Sequence, residues 1–235
     1  MRAIAAALFL SFLLGSHARA QMLEIAPVSI IFMPEQRTAS MTVTNRSNAP
    51  VVIQVRPFLW RENDGASTLT DTAALGVSPP FAEIAPGQAQ SIRLVLRTPA
   101  GATEETYRLL IDQLPPPNTS GVRVALRISL PVFIQPTVLA DAALVWQVVS
   151  GRSGSELQVR NRGNRHATVI SAQMQQPGGG QVAIRTSAHP YVLPGATSQW
   201  PIGAARLPTG GAVRLTVTTD AGVQEATASV VNAPP

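Results

Sequence analysis

The strongest pattern in the chain is a run of strict alternation. From Val122 to Val132 every second residue is apolar, and Arg123, Ala125, Arg127 and Ser129 occupy the first positions between them. Side chains of an extended strand point alternately to opposite faces, so Val122–Phe133 predicts a β-strand with one apolar face. At about 3.3 Å per residue it would span roughly 40 Å, about twice an ordinary strand. Such a strand either crosses its own domain completely or offers part of itself to another molecule. Shorter alternating runs precede it: Leu23–Phe32 (interrupted at Pro27), Met41–Asn45, Val51–Phe58, Ser91–Leu96 and Tyr107–Ile111. Turn chemistry separates them at Ser47-Asn48-Ala49-Pro50, Asn63-Asp64-Gly65, Pro86-Gly87 and Pro115-Pro116-Pro117.

Gln135 to Asp141 reads as a linker. Beyond it come weaker strand patterns at Leu144–Val149, Glu156–Asn161, Ala167–Met174, Gln181–Arg185, Val213–Thr219 and Gln224–Val231. No helical periodicity longer than a turn or two appears after the first 20 residues. The prediction is all-β, with domains over 21–135 and 136–235, each with the turn spacing of a sandwich.

Composition sharpens this picture only in places. With 45% hydrophobic and 13% charged residues in 235, the chain is expected to fold, and its few aromatics leave the core to Val, Ile, Leu and Ala. Residues 1–20 read as a signal peptide. Arg2 supplies the positive start, Ile4–Leu14 the apolar run, and Ala18-Arg19-Ala20 the cleavage site. Cleavage after Ala20 would export the protein without a membrane anchor. It would also leave 16 Arg against 13 acids, a net charge of +3. Residues 21–135 balance at nine Arg and nine acids, so the high pI reflects the absence of Lys and not a basic footprint for nucleic acid.

Candidate chemistry is sparse. There is no Cys, and only His166 and His189 would remain after cleavage, which argues against a metal site, a cofactor or a Ser-His-Asp set. The basic run Arg160–His166 reads as a solvated turn between two strands, since Asn-Arg-Gly-Asn is good turn chemistry. Arg93 and Arg108 stand out because each interrupts an apolar strand. If their strands pair and the guanidinium groups converge, they could bind a carboxylate bidentately.

In this order the segments resemble the PapD-like periplasmic chaperones of the chaperone–usher pilus pathway. The matching stretches include Leu23–Val28, Val43–Ser47, Ser78-Pro79-Pro80, Ile84–Gly87, Ile92-Arg93-Leu94, Tyr107-Arg108-Leu109, Asp112–Pro115 and Leu130–Phe133. More loosely, Leu157–Asn164 and Thr219–Gly222 extend the match into the second half. The resemblance implies two immunoglobulin-like sandwiches set at an angle around a cleft, and an activity without catalysis or cofactors. A pilin or fimbrial subunit lacks one strand, and the chaperone lends its own until an outer-membrane usher receives the complex. Val122, Val124, Leu126 and Ile128 would be the donated side chains, each worth roughly 1.5–3 kcal/mol on full burial.

The best-known members hold the subunit's C-terminal carboxylate with a basic pair in the cleft. Those places fall here on Ser29 and Pro131, which suggests a divergent branch similar to the archaic one, with Arg93 and Arg108 as substitute anchors. The family's interdomain ion pair also changes, since Asp220 resembles its acidic member but Gln135 replaces the Arg. The free chaperone would be self-capped, because an exposed apolar strand invites association. The competing expectation is an immunoglobulin-like structural or adhesive module of the cell surface.

Overall fold

The structure is a computed structural model that describes residues 23–233 apart from 64–65, 116–125, 152–153, 176–179, 187–189 and 204–206. The expected signal peptide lies outside the described residues. The first half contains β1 (Leu23–Ala26), β2 (Ile30–Phe32), β3 (Thr38–Asn45), β4 (Val51–Asn63), β5 (Ala66–Asp71), β6 (Leu75–Ser78), β7 (Phe81–Ile84), β8 (Ala89–Leu96), β9 (Glu105–Leu114) and β10 (Arg127–Ile134). The second contains β11 (Leu144–Ser150), β12 (Ser155–Asn161), β13 (Ala167–Gln175), β14 (Gln181–Ile184), β15 (Tyr191–Val192), β16 (Thr197–Gly203), β17 (Ala212–Thr219) and β18 (Gly222–Asn232). Among the described residues there is no helix.

In the first half, one sheet has the order β1-β3-β8-β6 and the other β2-β10-β9-β4-β5, with β7 also on β4. Ile92, Leu94 and Leu96 from the first sheet meet Ile53, Val55, Leu109, Leu130 and Val132 from the second in one core. The second half forms an eight-stranded sheet that closes over its own core, around Leu157, Val159, Val169, Trp200, Leu215 and Val217. These are two immunoglobulin-like β-sandwich domains with separate cores.

Local chemistry explains the departures from the expected elements. Pro27 does more than interrupt a strand: β1 pairs with β3 in one sheet and β2 pairs with β10 in the other, so the chain changes sheets there. β5 carries no amphipathic pattern, because all six of its residues are exposed. β16 contains Pro201, which hides it from a propensity reading. Of the long alternating run, Val122 and Val124 lie outside the described residues, and β10 begins at Arg127.

Each domain contains the same clasp. Buried Asn45 ends β3, donating from its side chain to the carbonyls of Ala49 and Ile84 and accepting from the Ser47 amide. Buried Asn161 ends β12 and donates to the carbonyls of Arg165 and Val192, while accepting from the Gly163 and Ala143 amides. Each Asn also pins a Pro-Gly turn through its backbone, to Gly87 and Gln88 in one domain and Gly195 and Ala196 in the other. Gly87 and Gly195 have φ of 72° and 75°, the left-handed value such a turn requires after Pro.

Candidate functional site

The outer face of β4, β9 and β10 turns towards the second domain. On β4, Val51, Ile53 and Val55 enter the core, and alternation puts Trp60 on the opposite face. Trp60 and Phe133 leave this face to form a buried cluster with Leu193 and Ala196 of the second domain, flanked by Tyr191. This is why β10 is buried on both faces from Leu130 to Ile134. One face is held by its own core and the other by the neighbouring domain.

Polar contacts fix the junction. The Phe133 ring stacks on the His166 imidazole with centroids 3.7 Å apart and planes at 11°. Glu104 accepts from both the backbone N–H of His166 and its Nδ1, each at 2.7 Å, and both side chains are almost fully buried. Asn164 donates from its side chain to the carbonyls of Ala102 and Leu139, and its own carbonyl accepts from the Glu104 amide. Gly163 is obligatory here for steric reasons. A Cβ at this position would stand 2.2 Å from the Asp141 carbonyl oxygen and 2.7 Å from the Ala143 nitrogen.

The Arg160–His166 run is therefore a turn between β12 and β13, and it also docks the linker and the first domain. Sequence reasoning missed that second role because Glu104, the partner of His166, precedes it by 62 residues. Asp220 accepts from the Thr168 amide and pairs with Arg165 at 3.3 Å, both within its own domain. Across the junction the polar side-chain pair is Glu104–His166 instead.

The two candidate arginines do not converge. Arg93 lies in β8, exposed on the outer face of the first sheet opposite Ser40 and Ser78. Arg108 lies in β9 of the other sheet and faces the second domain. The alternation that buries Ile92 and Leu94 beside one, and Tyr107 and Leu109 beside the other, turns both guanidinium groups away from the shared core. They leave the sandwich through opposite sides, and only Arg108 reaches the cleft.

Arg108 sits in a defined box. Its guanidinium carbon lies 3.7 Å from the Trp60 ring centroid and 5.4 Å from that of Tyr191, a cation held against aromatic faces. Burial lowers its pKa, while Tyr191 and Glu62 act in the opposite direction. An arginine remains charged in such a setting. Its Cα partner across the ladder is Pro131. A cleft of about 450 Å³ opens beside the box, lined in part by Glu62, Glu104, Glu105 and Leu193.

The other half of the site is the edge of β10. Its Arg127–Ile134 length pairs with β9 on one side, but on the other β2 covers only Val132–Ile134. Among the described residues the flank from Arg127 to Pro131 carries no strand. Asp112 braces the start of this flank, with Arg56 at 2.8 Å and Arg127 on its other oxygen. The Arg127 and Arg56 hydrogen bonds hold the Asp112 carboxyl below the usual carboxylate range. A depressed pKa contributes stability above the unfolded value, and that contribution is lost as pH falls through the folded one. Asp112→Asn is therefore expected to lower the melting temperature at neutral pH, with the difference narrowing below about pH 4. Thermal melts across that range check it.

Leu126 is exposed, whereas Ile128 is partly buried and packs against the domain's own core. Both share the phase of Leu130 and Val132, so the inward row of β10 continues outward along the free edge.

A two-domain sandwich with a basic box in its cleft and an unpaired strand edge beside it is built to hold another polypeptide. The match to known proteins makes the class specific. Residues 22–140 match the model of the pili and flagellar-assembly chaperones, PapD N-terminal domain, and the chain belongs to that family of pilus-assembly chaperones. It is 25% identical over 175 residues to the uncharacterized fimbrial chaperone YhcA of Escherichia coli K12, covering 72% of this chain and 74% of the relative. Among solved structures it resembles the CsuC–CsuE chaperone–tip adhesion subunit pre-assembly complex of the archaic Csu pili of Acinetobacter baumannii. That match has a TM-score of 0.69 and 21% identity, over 89% of this chain and 99% of the other. The Salmonella enterica SafB chaperone, in complex with SafA pilin, matches with a TM-score of 0.60 and 18% identity, over 88% and 95%.

Proposed function

We propose that this protein is a periplasmic, non-catalytic chaperone that completes pilus subunits by lending them a strand and passes them to an outer-membrane usher. The observation that carries this reading is the free flank of β10 from Arg127 to Pro131. A subunit strand added there would form a main-chain ladder and receive side chains in phase with the chaperone's own core. Leu126 and Ile128 begin that row, and Val122 and Val124 would extend it beyond the described strand. Each main-chain hydrogen bond adds about 1 kcal/mol net, and association costs take back several. The complex is then firm but exchangeable.

Arg108 alone is the anchor for the subunit's C-terminal carboxylate. It lies one strand across from Pro131, so the charge expected at that place rises from the adjacent strand. A charge-assisted bond from guanidinium to carboxylate is worth about 1.5–3 kcal/mol. Arg108→Ala is therefore expected to weaken subunit capture by roughly tenfold or more, while Arg93→Ala leaves it unchanged. The test is co-expression with a pilin-type subunit followed by recovery of a one-to-one complex from the periplasm. Undiminished recovery with correctly folded Arg108→Ala would overturn the anchor.

A further inference from the structure

β5 buries none of its six side chains, yet its ladder with β4 runs unbroken from Phe58↔Asp71 to Asn63↔Ala66. A strand that adds nothing to the core is marginal by itself, so its use lies in what its side chains touch. Ser67 touches a buried group: its hydroxyl oxygen accepts from the indole N–H of Trp60 at 2.6 Å. Across the ladder Trp60 faces Leu69 and Glu62 faces Ser67. The bond therefore runs between diagonal neighbours on the face turned towards the second domain.

Trp60 is 0% exposed, and an indole buried so completely needs an acceptor for its N–H. Apolar packing against Phe133, Leu193 and Ala196 has no direction of its own and would tolerate more than one orientation of the ring. The Ser67 bond selects one. The Tyr191 ring then meets the indole edge-on, with centroids 5.7 Å apart and planes at 89°, while the Thr106 hydroxyl holds the Trp60 carbonyl at 2.7 Å. The selected ring face is the seat of Arg108, whose guanidinium carbon lies 3.7 Å from its centroid. Among the described residues the Arg108 side chain makes no hydrogen bond and no ion pair. Its ring contacts set its direction, and its N–H donors stay free.

We propose that Ser67 is a positioning residue of the capture site: by fixing the Trp60 indole it aims the Arg108 guanidinium at an incoming C-terminal carboxylate. This rests on Arg108 being the anchor. A guanidinium seated on a ring face keeps its N–H edge for the two parallel bonds that a carboxylate accepts. Both bonds weaken steeply when bent, so a guanidinium on a loose ring has to be ordered again at each capture. The β4–β5 hairpin thus belongs to the site although it adds nothing to the core.

The test uses the full chain with N-acetyl-alanyl-tyrosine as probe, bearing a free carboxylate or a C-terminal amide. Binding is followed by NMR through the Arg108 Nε–H and Trp60 Nε1–H signals. Ser67→Ala is expected to bind the free-carboxylate probe about threefold to tenfold more weakly than the parent, and the amide probe equally well. Ser67 is exposed, so water can serve the indole N–H in its place, and the melting temperature is expected to stay within about 2 °C of the parent. Ser67→Thr keeps the hydroxyl and is expected to restore carboxylate binding. In an Arg108→Ala background, Ser67→Ala is expected to have no further effect on either probe. Undiminished carboxylate binding by Ser67→Ala, or the same loss with and without Arg108, overturns the role of Ser67 and leaves Arg108 as anchor. Equal binding of acid and amide probes by the parent, unaffected by Arg108→Ala, overturns the anchor itself.

Discussion

Asn161→Ala is expected to cost more stability than Asn45→Ala, although both remove the same clasp. Each asparagine serves two carbonyls, accepts from backbone amides and is fully buried. Orphaned buried polar groups cost about 1–3 kcal/mol each, less where water can reach them, so a loss of roughly 3–5 kcal/mol is expected in either domain. The two sites differ in what the pinned turn carries. The turn held by Asn45 closes its own sandwich. The turn held by Asn161 presents Leu193 and Ala196 to the interdomain cluster, and the same side chain accepts from Ala143 next to the linker. Loss of Asn161 therefore loosens the junction as well as the second domain. Denaturant unfolding of both variants checks this, with the fluorescence of Trp60 at the junction as a second probe. Equal losses, with the Trp60 environment undisturbed in Asn161→Ala, would show that the junction does not depend on the clasp.

How far the sequence disclosed this arrangement depends on the range of each interaction. Alternation located β3, β8, β12, β13 and β17, because burial on one face writes a period of two directly into the residues. It missed β5, which is fully exposed, the short β6, β7 and β15, and β16 with its Pro201. Arg108 was legible as an unusual charge in an apolar strand, but so was Arg93. Local pattern says that a charge leaves the core, not through which sheet. Pairing decides that, and it joins residues far apart: β9 to β4, and β8 to β3 and β6. The Glu104–His166 contact and the stacking of Phe133 on His166 have no local signature at all. The free edge of β10 lay between these extremes. The alternating run Val122–Phe133 raised the expectation of a strand offered to a partner, and its described part begins at Leu126. The flank left bare, by contrast, is set by how little of β10 is covered by β2.

Phe133→Ala is the other substitution with a large expected effect, and it links the two halves of the site. Phe133 is 1% exposed and lies within stacking or edge contact of His166, Trp60 and Tyr191. Removing a ring buried this completely costs about 3–5 kcal/mol. Its position makes the loss more than a cavity. Phe133 belongs to β10, the strand whose free flank would receive a subunit, and it touches the aromatic groups that hold Arg108 in place. Without the ring, His166 loses its stacking partner and the domains are expected to uncouple. Calorimetry is then expected to resolve two transitions for the variant and one for the parent protein. Arg108 would also lose its fixed direction, so subunit capture is expected to fall even at temperatures where both domains remain folded. Phe133→Leu keeps most of the volume without the stacking, and is expected to recover much of the stability but less of the capture. If Phe133→Ala retained a single transition and full capture, the interdomain cluster would be packing alone, and the position of Arg108 would have to be set from within the first domain.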